Sequence, residues 1–348
     1  MATNKLKPKK ILKIGVLIGG PSAEHGVSLA TGRNVLDNLD RSKYELVTIK
    51  ISKDKKWFLN GRLTNEAKAL KSCDVVFNAL HGTFGEDGRV QALMEYYGAR
   101  YTGSGICGSA LAMDKLRSRE IFKLAGFQAP KTLKIRKGES YQALLNVFVN
   151  KISGFPVVVK PCSNGSSVGV SIATNQVQLD KAIKAAFGLE KKVLIEEFIE
   201  GREVTCGVLE NFFAKGAVSA ESGGQGPASG WNGNIAALPV TEIIPRKGNK
   251  FFNYNAKYKT GHSKEITPAR IDEGTTQKVQ EIAVKAHQLL GCKTYSRTDM
   301  IIRNDDIFIL EVNTLPGLTA NSLVPKAAQV AGLTFSQLLD KIIQSSLV

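Results

Sequence analysis

Two short segments of the sequence combine residue types that can bind a phosphorylated ligand and a metal ion. The first, residues 160–169, reads Lys-Pro-Cys-Ser-Asn-Gly-Ser-Ser-Val-Gly and follows a short apolar run. Backbone N–H groups of such a loop can surround phosphate oxygens, and the lysine adds a positive charge. The segment lacks the Gly-Lys-Ser/Thr ending of a Walker loop. Its glycines also fit a plain β-hairpin turn, so both interpretations stay open at this point.

The second segment contains two short runs, at residues 297–299 and 309–313, that can form a pair of strands. Arg297 and Asp299 share one face of the first run, and Glu311 and Asn313 share one face of the second. In an antiparallel pair these side chains would present two carboxylates and an amide together, which suits Mg²⁺. The alternative is a cross-strand salt bridge on a solvated face. We favour the metal, because apolar neighbours predict burial and converging carboxylates repel each other without a cation.

The first hundred residues have the pattern of a parallel α/β sheet. Apolar runs at 11–18, 44–51 and 75–80 predict strands, and residues 27–39 and 88–97 predict helices. Ligands of such sheets bind beyond the carboxyl ends of the strands. Two turns that contain histidine, 19–28 and 81–88, lie at those ends. Their position favours a binding role for both turns.

Two further regions follow a small-residue segment at 103–108, which we interpret as a hinge. A helix is predicted at 111–125, and strands at 157–160, 169–172 and 193–197 surround a helix at 177–187. The last region is predicted to contain strands at 203–209, 236–244, 295–303 and 306–312 and a helix at 275–290. The glycine-rich stretch 221–234 has no apolar periodicity and is predicted to be a mobile surface loop.

Composition limits the classes of function. The 348 residues allow two or three domains, and no stretch reaches the apolar length of a membrane helix. The five cysteines are scattered without metal-ligand spacing, which indicates reduced thiols and a cytoplasmic protein. The net charge is +16, but the basic residues are dispersed and only 7% of residues are aromatic. Neither a nucleic acid nor a membrane is therefore expected as the main partner.

A series of longer motifs surrounds these segments. They are Gly-Gly-Pro-Ser-Ala-Glu-His at 19–25, His-Gly-Thr-Phe-Gly-Glu-Asp-Gly at 81–88, Met-Asp-Lys at 113–115, Ala-Lys-Tyr at 256–258 and Glu-Val-Asn-Thr-Leu-Pro-Gly-Leu-Thr at 311–319. In this order they resemble the D-alanine–D-alanine ligases of the ATP-grasp superfamily. The resemblance implies an α/β, three-domain ATP-grasp fold with an N-terminal Rossmann-like parallel-sheet domain. The implied domains are N-terminal 1–102, central 103–199 and C-terminal 200–348, the last with a lid loop.

The resemblance implies ATP-dependent joining of two D-alanine molecules to D-alanyl-D-alanine, for peptidoglycan precursor synthesis. The first D-alanine would attack the γ-phosphoryl group, and the amine of the second would displace phosphate from the resulting acyl phosphate. The residues implied for ATP are Lys115, Lys160, Glu196, Phe198, Glu203, Lys257 and Leu310. Two Mg²⁺ ions, or Mn²⁺ in their place, would be held by Asp299, Glu311 and Asn313.

The resemblance also assigns residues to the D-alanine substrates. Glu24 would bind the ammonium of the first D-alanine with His81 nearby. Arg297 and the backbone N–H of Gly317 would stabilise the oxyanion, and Ser322 would bind the second carboxylate. D-Alanine is the implied small-molecule partner, and the family is usually dimeric.

A lid must exclude water, because an acyl phosphate hydrolyses readily. The resemblance assigns this lid to the loop around Tyr258, whose hydroxyl would link to Ser166 and Glu24. Tyr258 argues against a D-lactate ligase, since ligases with that preference usually replace this tyrosine. A D-alanyl-D-serine ligase is harder to separate, because one substrate hydroxyl is discriminated only by the detail of the pocket.

Two more distant classes of protein are alternatives to this interpretation. One is a different ATP-grasp amino-acid ligase, and the second is a basic nucleotide- or nucleic-acid-binding protein without catalysis. The trio Glu24, Ser166 and Tyr258 favours the D-alanine enzymes over the first class. The presence of Arg297 and of every implied metal ligand argues against the second. The stretch 213–234 is longer than the family usually carries at this place.

Overall fold

Three β-sheets organise the part of the chain that the structure describes. The structure, a computed structural model, describes residues 11–162, 169–211, 235–245 and 263–347. These ranges form a five-stranded sheet first, then a four-stranded sheet, and finally a six-stranded sheet. Among the helices of these ranges, none combines the length and apolar character needed to cross a bilayer. The predicted loop at 221–234 lies outside the described residues.

The N-terminal sheet has a parallel centre. Its strands are β1 (Leu12–Gly19), β2 (Tyr44–Ile51), β3 (Trp57–Leu59), β4 (Arg62–Thr64) and β5 (Val75–Asn78), in the order β4-β3-β2-β1-β5. The helices of this region are α1 (His25–Asn38), α2 (Glu66–Leu70) and α3 (Arg89–Tyr96). Because β1 pairs in parallel with both β2 and β5, the predicted parallel sheet is confirmed.

An antiparallel hairpin, β3–β4, extends this sheet and was not predicted. Its turn contains Asn60 and Gly61, both with positive φ, at 46° and 81°. An Asn-Gly pair is the usual sequence of a tight hairpin turn, because both residues tolerate this backbone region. The signal was therefore present in the sequence.

Two helices stand where one was predicted at 111–125. They are α4 (Ile106–Met113) and α5 (Lys115–Leu124), and Asp114 between them has an extended backbone. The Asp114 carboxylate accepts hydrogen bonds from the N–H groups of Leu116 and Arg117, both at 3.2 Å. An aspartate at this position caps a helix and starts a new one. The single-helix prediction is thus wrong, and Asp114 is the reason.

The middle sheet is antiparallel. Its strands are β6 (Thr132–Arg136), β7 (Val157–Pro161), β8 (Ser171–Ala173) and β9 (Lys192–Glu197), in the order β6-β9-β7-β8. Its helical segments are α6 (Gln142–Val147), a π-helical turn (Phe148–Ser153) and α7 (Gln176–Leu189). Its hydrophobic core is its own, with Val159, Leu179 and Ile195 among the buried side chains.

The C-terminal sheet is also antiparallel. Its strands are β10 (Arg202–Glu210), β11 (Ile235–Ala237), β12 (Thr241–Pro245), β13 (Ser263–Ile266), β14 (Tyr295–Arg303) and β15 (Asp306–Asn313). The path is β13-β12-β10-β14-β15, and β11 pairs with β10. The helices are α8 (Glu273–Leu289), α9 (Leu323–Val330) and α10 (Phe335–Ser345). The predicted single strand 236–244 is wrong, because Pro239 lies in the break between β11 and β12 and has no N–H to donate.

The outer sheets share hydrophobic packing with each other. Ile14 and Phe77 belong to the same core cluster as Tyr295 of β14 and Ile342 of α10. A separate cluster includes Phe122 of α5 together with buried residues of β10, α8 and β15. Helix α5 is therefore anchored to the C-terminal sheet, although it precedes the middle sheet in the chain. The domain boundaries after residues 102 and 199 stay predictions.

We expect Phe122→Ala to lower the free energy of unfolding by about 3–5 kcal/mol, because a buried ring would leave a cavity. Phe122 is fully buried, whereas Leu124 in the same helix is 89% exposed. Leu124→Ala is the matched control and should change stability by less than about 0.5 kcal/mol. Urea denaturation followed by circular dichroism measures both. Equal losses would contradict the anchoring of α5 through Phe122.

Candidate active site

The two histidine turns of the N-terminal sheet meet at the carboxyl ends of β1 and β5. Ser22 of the first turn donates a hydrogen bond to the backbone oxygen of His81 at 2.6 Å. Glu24 is buried, and its carboxylate lies so close to Gly82 that a Cβ there would stand 2.3 Å from Oε2. Gly82 also has φ +70°, so this turn needs glycine for two reasons. The two turns therefore lie against each other in the structure.

His81 is held from both sides of its ring. Its Nε2 lies 2.8 Å from the hydroxyl of Thr31, and its Nδ1 lies 3.7 Å from Oε1 of Glu86. Glu86 also accepts a hydrogen bond from the N–H of Gly82 at 2.7 Å. Glu86, Lys115, Glu311 and Asn313 line one small cavity. Glu86 therefore connects the His81 turn to the acidic strand pair, a connection that the motifs of the sequence did not reveal.

The acidic strand pair has the predicted arrangement. In the β14–β15 ladder, Arg297 faces Asn313 and Asp299 faces Glu311. Arg297 donates two hydrogen bonds of 2.8 Å to the carboxylate of Asp299. The amide of Asn313 donates to the same carboxylate at 3.4 Å. Thr205 on β10, which was not predicted, donates to Asp299 at 2.6 Å.

A β-bulge interrupts this ladder next to the acidic residues. Asp299 pairs with Glu311, but Met300 pairs with Ile309, so Leu310 is the extra residue on β15. A bulge leaves the extra residue outside the regular ladder and re-aims the neighbouring side chains. The backbone oxygen of Leu310 accepts a hydrogen bond from Arg119 at 3.2 Å.

Each carboxylate of the strand pair lies against a cation of the chain. Asp299 lies against Arg297, and Glu311 forms an ion pair with Lys115 at 3.2 Å. Burial acts to lower the pKa of Lys115, but Glu311 outweighs it and the pKa lies above its ordinary value. Positive charge is thus needed here to offset the repulsion between two nearby carboxylates.

The donor set fits a metal that arrives with phosphate oxygens. In the described part of the chain, no group of three His, Cys, Asp or Glu side chains is placed to hold a metal ion. Asp299, Glu311 and Asn313 provide two carboxylates and one amide, all on one face of the strand pair. Mg²⁺ favours such a partial oxygen set and completes its shell with water and substrate phosphates.

A second buried ionic cluster lies between the middle sheet and α5. Glu196 on β9 is 2% exposed, Lys160 on β7 is 8% exposed and Arg119 on α5 is 5% exposed. Lys160 lies 2.9 Å from Oε2 of Glu196. Arg119 donates to both oxygens of that carboxylate, with 3.0 Å to Oε2. Sequence reasoning assigned Lys160 and Glu196 to the nucleotide but missed Arg119.

The cluster shifts the protonation of its members. Burial, with Arg119 adding to it, lowers the pKa of Lys160 to about 8. Burial by itself would raise the pKa of Glu196, yet Arg119 and Lys160 outweigh it and hold the pKa below its ordinary value. Glu196 is therefore a carboxylate that only accepts hydrogen bonds near neutral pH.

The remaining predicted residues divide into three groups. Gly317 and Ser322 lie together, since a Cβ on Gly317 would stand 2.9 Å from the Ser322 hydroxyl. Phe198 and Glu203 are partly buried and flank the turn from β9 to β10. Three predicted residues, Ser166, Lys257 and Tyr258, lie outside the described residues.

Two antiparallel sheets enclose lysines and a set of carboxylates, and a domain with a parallel sheet lies next to them. This arrangement is the ATP-grasp fold, and comparison with known proteins agrees with this class. The model of the D-ala D-ala ligase C-terminus matches residues 121–224 and 227–344. The model of the D-ala D-ala ligase N-terminus matches residues 13–69 and 60–104. The chain belongs to the D-alanine–D-alanine ligase family.

Individual relatives are similar over nearly their whole length. The D-alanine–D-alanine ligase of Syntrophobacter fumaroxidans is 42% identical over 97% of this chain and 98% of its own. That of Halalkalibacterium halodurans is 40% identical over 97% and 99%. Among solved structures, the Bacillus anthracis ligase complexed with ATP has a TM-score of 0.74 at 31% identity, covering 97% of both chains. The VanG D-Ala:D-Ser ligase from Enterococcus faecalis has a TM-score of 0.79 at 31% identity, covering 97% of this chain and 100% of its own.

We expect Thr205→Val to destabilise the protein by about 1.5–3 kcal/mol, because the Asp299 carboxylate loses a buried hydrogen bond. Thr298→Val is the matched control, since the hydroxyl of Thr298 is buried without a hydrogen-bond partner among the described residues. Removing that hydroxyl should leave stability unchanged or improve it. Thermal and urea unfolding measure both variants. A loss in Thr298→Val as large as that in Thr205→Val would contradict the assigned hydrogen bonds.

Proposed function

We propose that this protein joins two D-alanine molecules to D-alanyl-D-alanine at the expense of ATP, for peptidoglycan precursor synthesis. The observation that carries the proposal is the convergence of the buried Glu24–His81 turns, the acidic β14–β15 pair and the Lys160–Glu196 cluster within one D-alanine–D-alanine ligase chain. Each of these three sets suits a different part of the reaction: an amino acid, a metal-bound triphosphate and a nucleotide base.

Phosphoryl transfer depends mainly on position and charge neutralisation. Lys115 and Lys160 would bind ATP phosphates, and both are buried at the edge of the two clusters. Glu196 would accept a hydrogen bond from the adenine amino group, and Glu203 would bind the ribose. The adenine would lie between Phe198 and Leu310.

Asp299, Glu311 and Asn313 would hold two Mg²⁺ ions, or Mn²⁺ ions, when the nucleotide is bound. The metal would supply charge stabilisation to the triphosphate during phosphoryl transfer. The ion pair between Lys115 and Glu311 would then open, so that the lysine turns to the phosphates. The donor chemistry of the set supports this assignment.

The amino-acid steps would use residues of the N- and C-terminal sheets. The buried carboxylate of Glu24 suits the ammonium of the first D-alanine, with His81 beside it. The first D-alanine carboxylate attacks the γ-phosphoryl group, ADP leaves, and an acyl phosphate forms. The amine of the second D-alanine then attacks the acyl carbon, and phosphate leaves as the amine loses a proton.

Charge on the tetrahedral intermediate would be stabilised by Arg297 and the backbone N–H of Gly317. The two hydrogen bonds to Asp299 hold the guanidinium of Arg297 in a defined orientation. Ser322 would bind the carboxylate of the second D-alanine. Its position against Gly317 supports a shared site for these two groups. The roles of Ser166 and Tyr258 in the lid and of Lys257 at the nucleotide stay predictions.

A second candidate is the synthesis of D-alanyl-D-serine. The observation that favours it is the structural similarity to the VanG D-Ala:D-Ser ligase from Enterococcus faecalis. The two reactions share every chemical step and differ by one hydroxyl on the second substrate. Discrimination therefore depends on the second-substrate pocket near Ser322.

We further propose that the enzyme acts in the cytoplasm as a homodimer. The cytoplasm supplies ATP, and all five cysteines are free, which fits a reducing compartment. The dimer rests on the family resemblance alone. Size-exclusion chromatography with light scattering would decide it.

The function is tested by phosphate release from ATP and Mg²⁺ with D-alanine, L-alanine, D-serine or D-lactate, each alone and together with D-alanine. We expect release with D-alanine alone, no release with L-alanine alone, and a dipeptide product visible by mass spectrometry. Removal of Mg²⁺ with a chelator should abolish release. Strong release only with D-serine plus D-alanine would assign the second candidate. If no amino acid stimulates phosphate release, the ligase proposal fails.

Nucleotide binding should take up protons through Lys160 near pH 8. The pKa of Lys160 is about 8 without nucleotide, and an adjacent triphosphate raises a lysine pKa. At pH 8, binding should therefore add about half a proton per site, and at pH 6 Lys160 is already charged and adds none. Calorimetry in two buffers of different ionisation enthalpy measures the uptake. Lys160→Arg keeps the charge but does not titrate, so equal uptake in this variant would exclude Lys160 as the source.

A further inference from the structure

Arg119 connects the two sheets that enclose the proposed nucleotide site. Its guanidinium donates to both carboxylate oxygens of Glu196 on β9 and, at 2.7 Å, to the hydroxyl of Thr132 on β6. It also donates to the backbone oxygen of Leu310 on β15. One side chain thus contacts the carboxylate proposed to bind the adenine amino group and the strand proposed to cover the ring.

Four features of the chain hold Arg119 in this position. Asp114 caps α5, and Lys115 and Arg119 lie four residues apart on the same face of that helix. Lys115 pairs with Glu311, while Phe122 anchors the helix in the core of the C-terminal sheet. The bulge at Leu310 takes its carbonyl out of the regular ladder, where Arg119 reaches it.

The stability of the fold alone does not explain the contacts of Arg119. Its Nε–H is buried and has no hydrogen-bond acceptor among the residues that the structure describes. A buried donor without an acceptor costs free energy, and buried ion pairs are often no more stabilising than apolar residues. A positioning role for Arg119 explains why Arg119, Lys160 and Glu196 are kept together as charged groups in a buried environment.

We propose that Arg119 is a positioning residue that sets the base specificity of the nucleotide site. Arg119 keeps Glu196 ionised and orients its carboxylate through hydrogen bonds to both oxygens. It also fixes the distance between this carboxylate and β15, the strand that contains Leu310. An ionised carboxylate only accepts hydrogen bonds, so it binds the exocyclic amino group of adenine and repels the keto oxygen of guanine. The low pKa of Glu196 agrees with this assignment. The inference rests on the proposed use of ATP.

The test compares Arg119→Met and Arg119→Lys with Arg117→Met, a control in the same helix whose side chain is 71% exposed. Calorimetry measures Kd for ADP and for GDP with Mg²⁺ present, without any amino acid. Arg119→Met should weaken ADP binding roughly 10- to 100-fold, the usual effect of losing hydrogen bonds to a charged group. GDP binding should change far less, and the ADP preference should fall accordingly. Arg119→Lys should recover part of the preference, and Arg117→Met should resemble the wild type.

Kinetics separate positioning from a general structural effect. KM for ATP should rise in Arg119→Met, while KM for D-alanine should change less than about twofold, because the amino-acid sites lie on other elements. An unchanged ADP-to-GDP ratio, or equal losses for ATP and D-alanine, would overturn the proposal.

A variant pair keeps the proposal testable if Arg119→Met does not fold. Glu196→Gln by itself should reduce the ADP preference, since an amide can turn its NH₂ toward a keto group. Adding Arg119→Lys to Glu196→Gln should then cause no further loss of preference, because Arg119 acts through Glu196. Fully additive losses would contradict an action of Arg119 through Glu196.

If the wild-type protein binds no adenine nucleotide, the proposed function and this inference both fail. Binding of adenine nucleotide without D-alanine-dependent turnover contradicts the ligase reaction alone.

Discussion

The active-site region depends on charge compensation between carboxylates and cations that are all largely buried. Glu311 lies against Lys115, Asp299 lies against Arg297, and Glu196 lies against Lys160 and Arg119. An isolated carboxylate in such a place would be protonated or would destabilise the fold. Because each of these three carboxylates has a cation, the chain can hold a dense set of acidic groups close to where a metal and a triphosphate would bind.

The same pairing explains how the site can be stable without its ligand and still be ready for it. A metal ion with phosphate groups brings both positive and negative charge, so it can replace the ion pairs that the protein makes with itself. Lys115 would exchange Glu311 for phosphate, and Glu311 would exchange Lys115 for the metal. Such an exchange preserves the number of favourable ionic contacts, and the strands therefore need little rearrangement.

Helix α5 is the element that brings the parts together. Asp114 starts it, Phe122 ties it to the C-terminal core, and between them Lys115 and Arg119 reach the two ionic clusters. The middle sheet has a hydrophobic core of its own. The polar contacts of Arg119 are therefore a direct link between that sheet and β15, which a movement of the middle sheet would strain.

The local features of this protein can be predicted from its amino-acid sequence. Alternation along β14 and β15 placed Asp299 and Glu311 on one face, because side chains of a strand alternate with a period of two. The parallel sheet and its two histidine turns followed from apolar runs bounded by glycine. Asp114 and Pro239 carried signals for the breaks at their positions, although the apolar pattern on either side continues through both residues and predicts longer elements.

The pairing of charged side chains, in contrast, depends on how distant elements pack. Arg119 looked like one of many dispersed basic residues, since its partners Glu196 and Leu310 come from strands far away in the chain. The bulge that frees the Leu310 carbonyl depends on how β14 and β15 are paired, and periodicity cannot reveal it. Partner choice arises when distant elements pack together, because the energy of a buried charge depends on its three-dimensional surroundings and not on its neighbours in sequence.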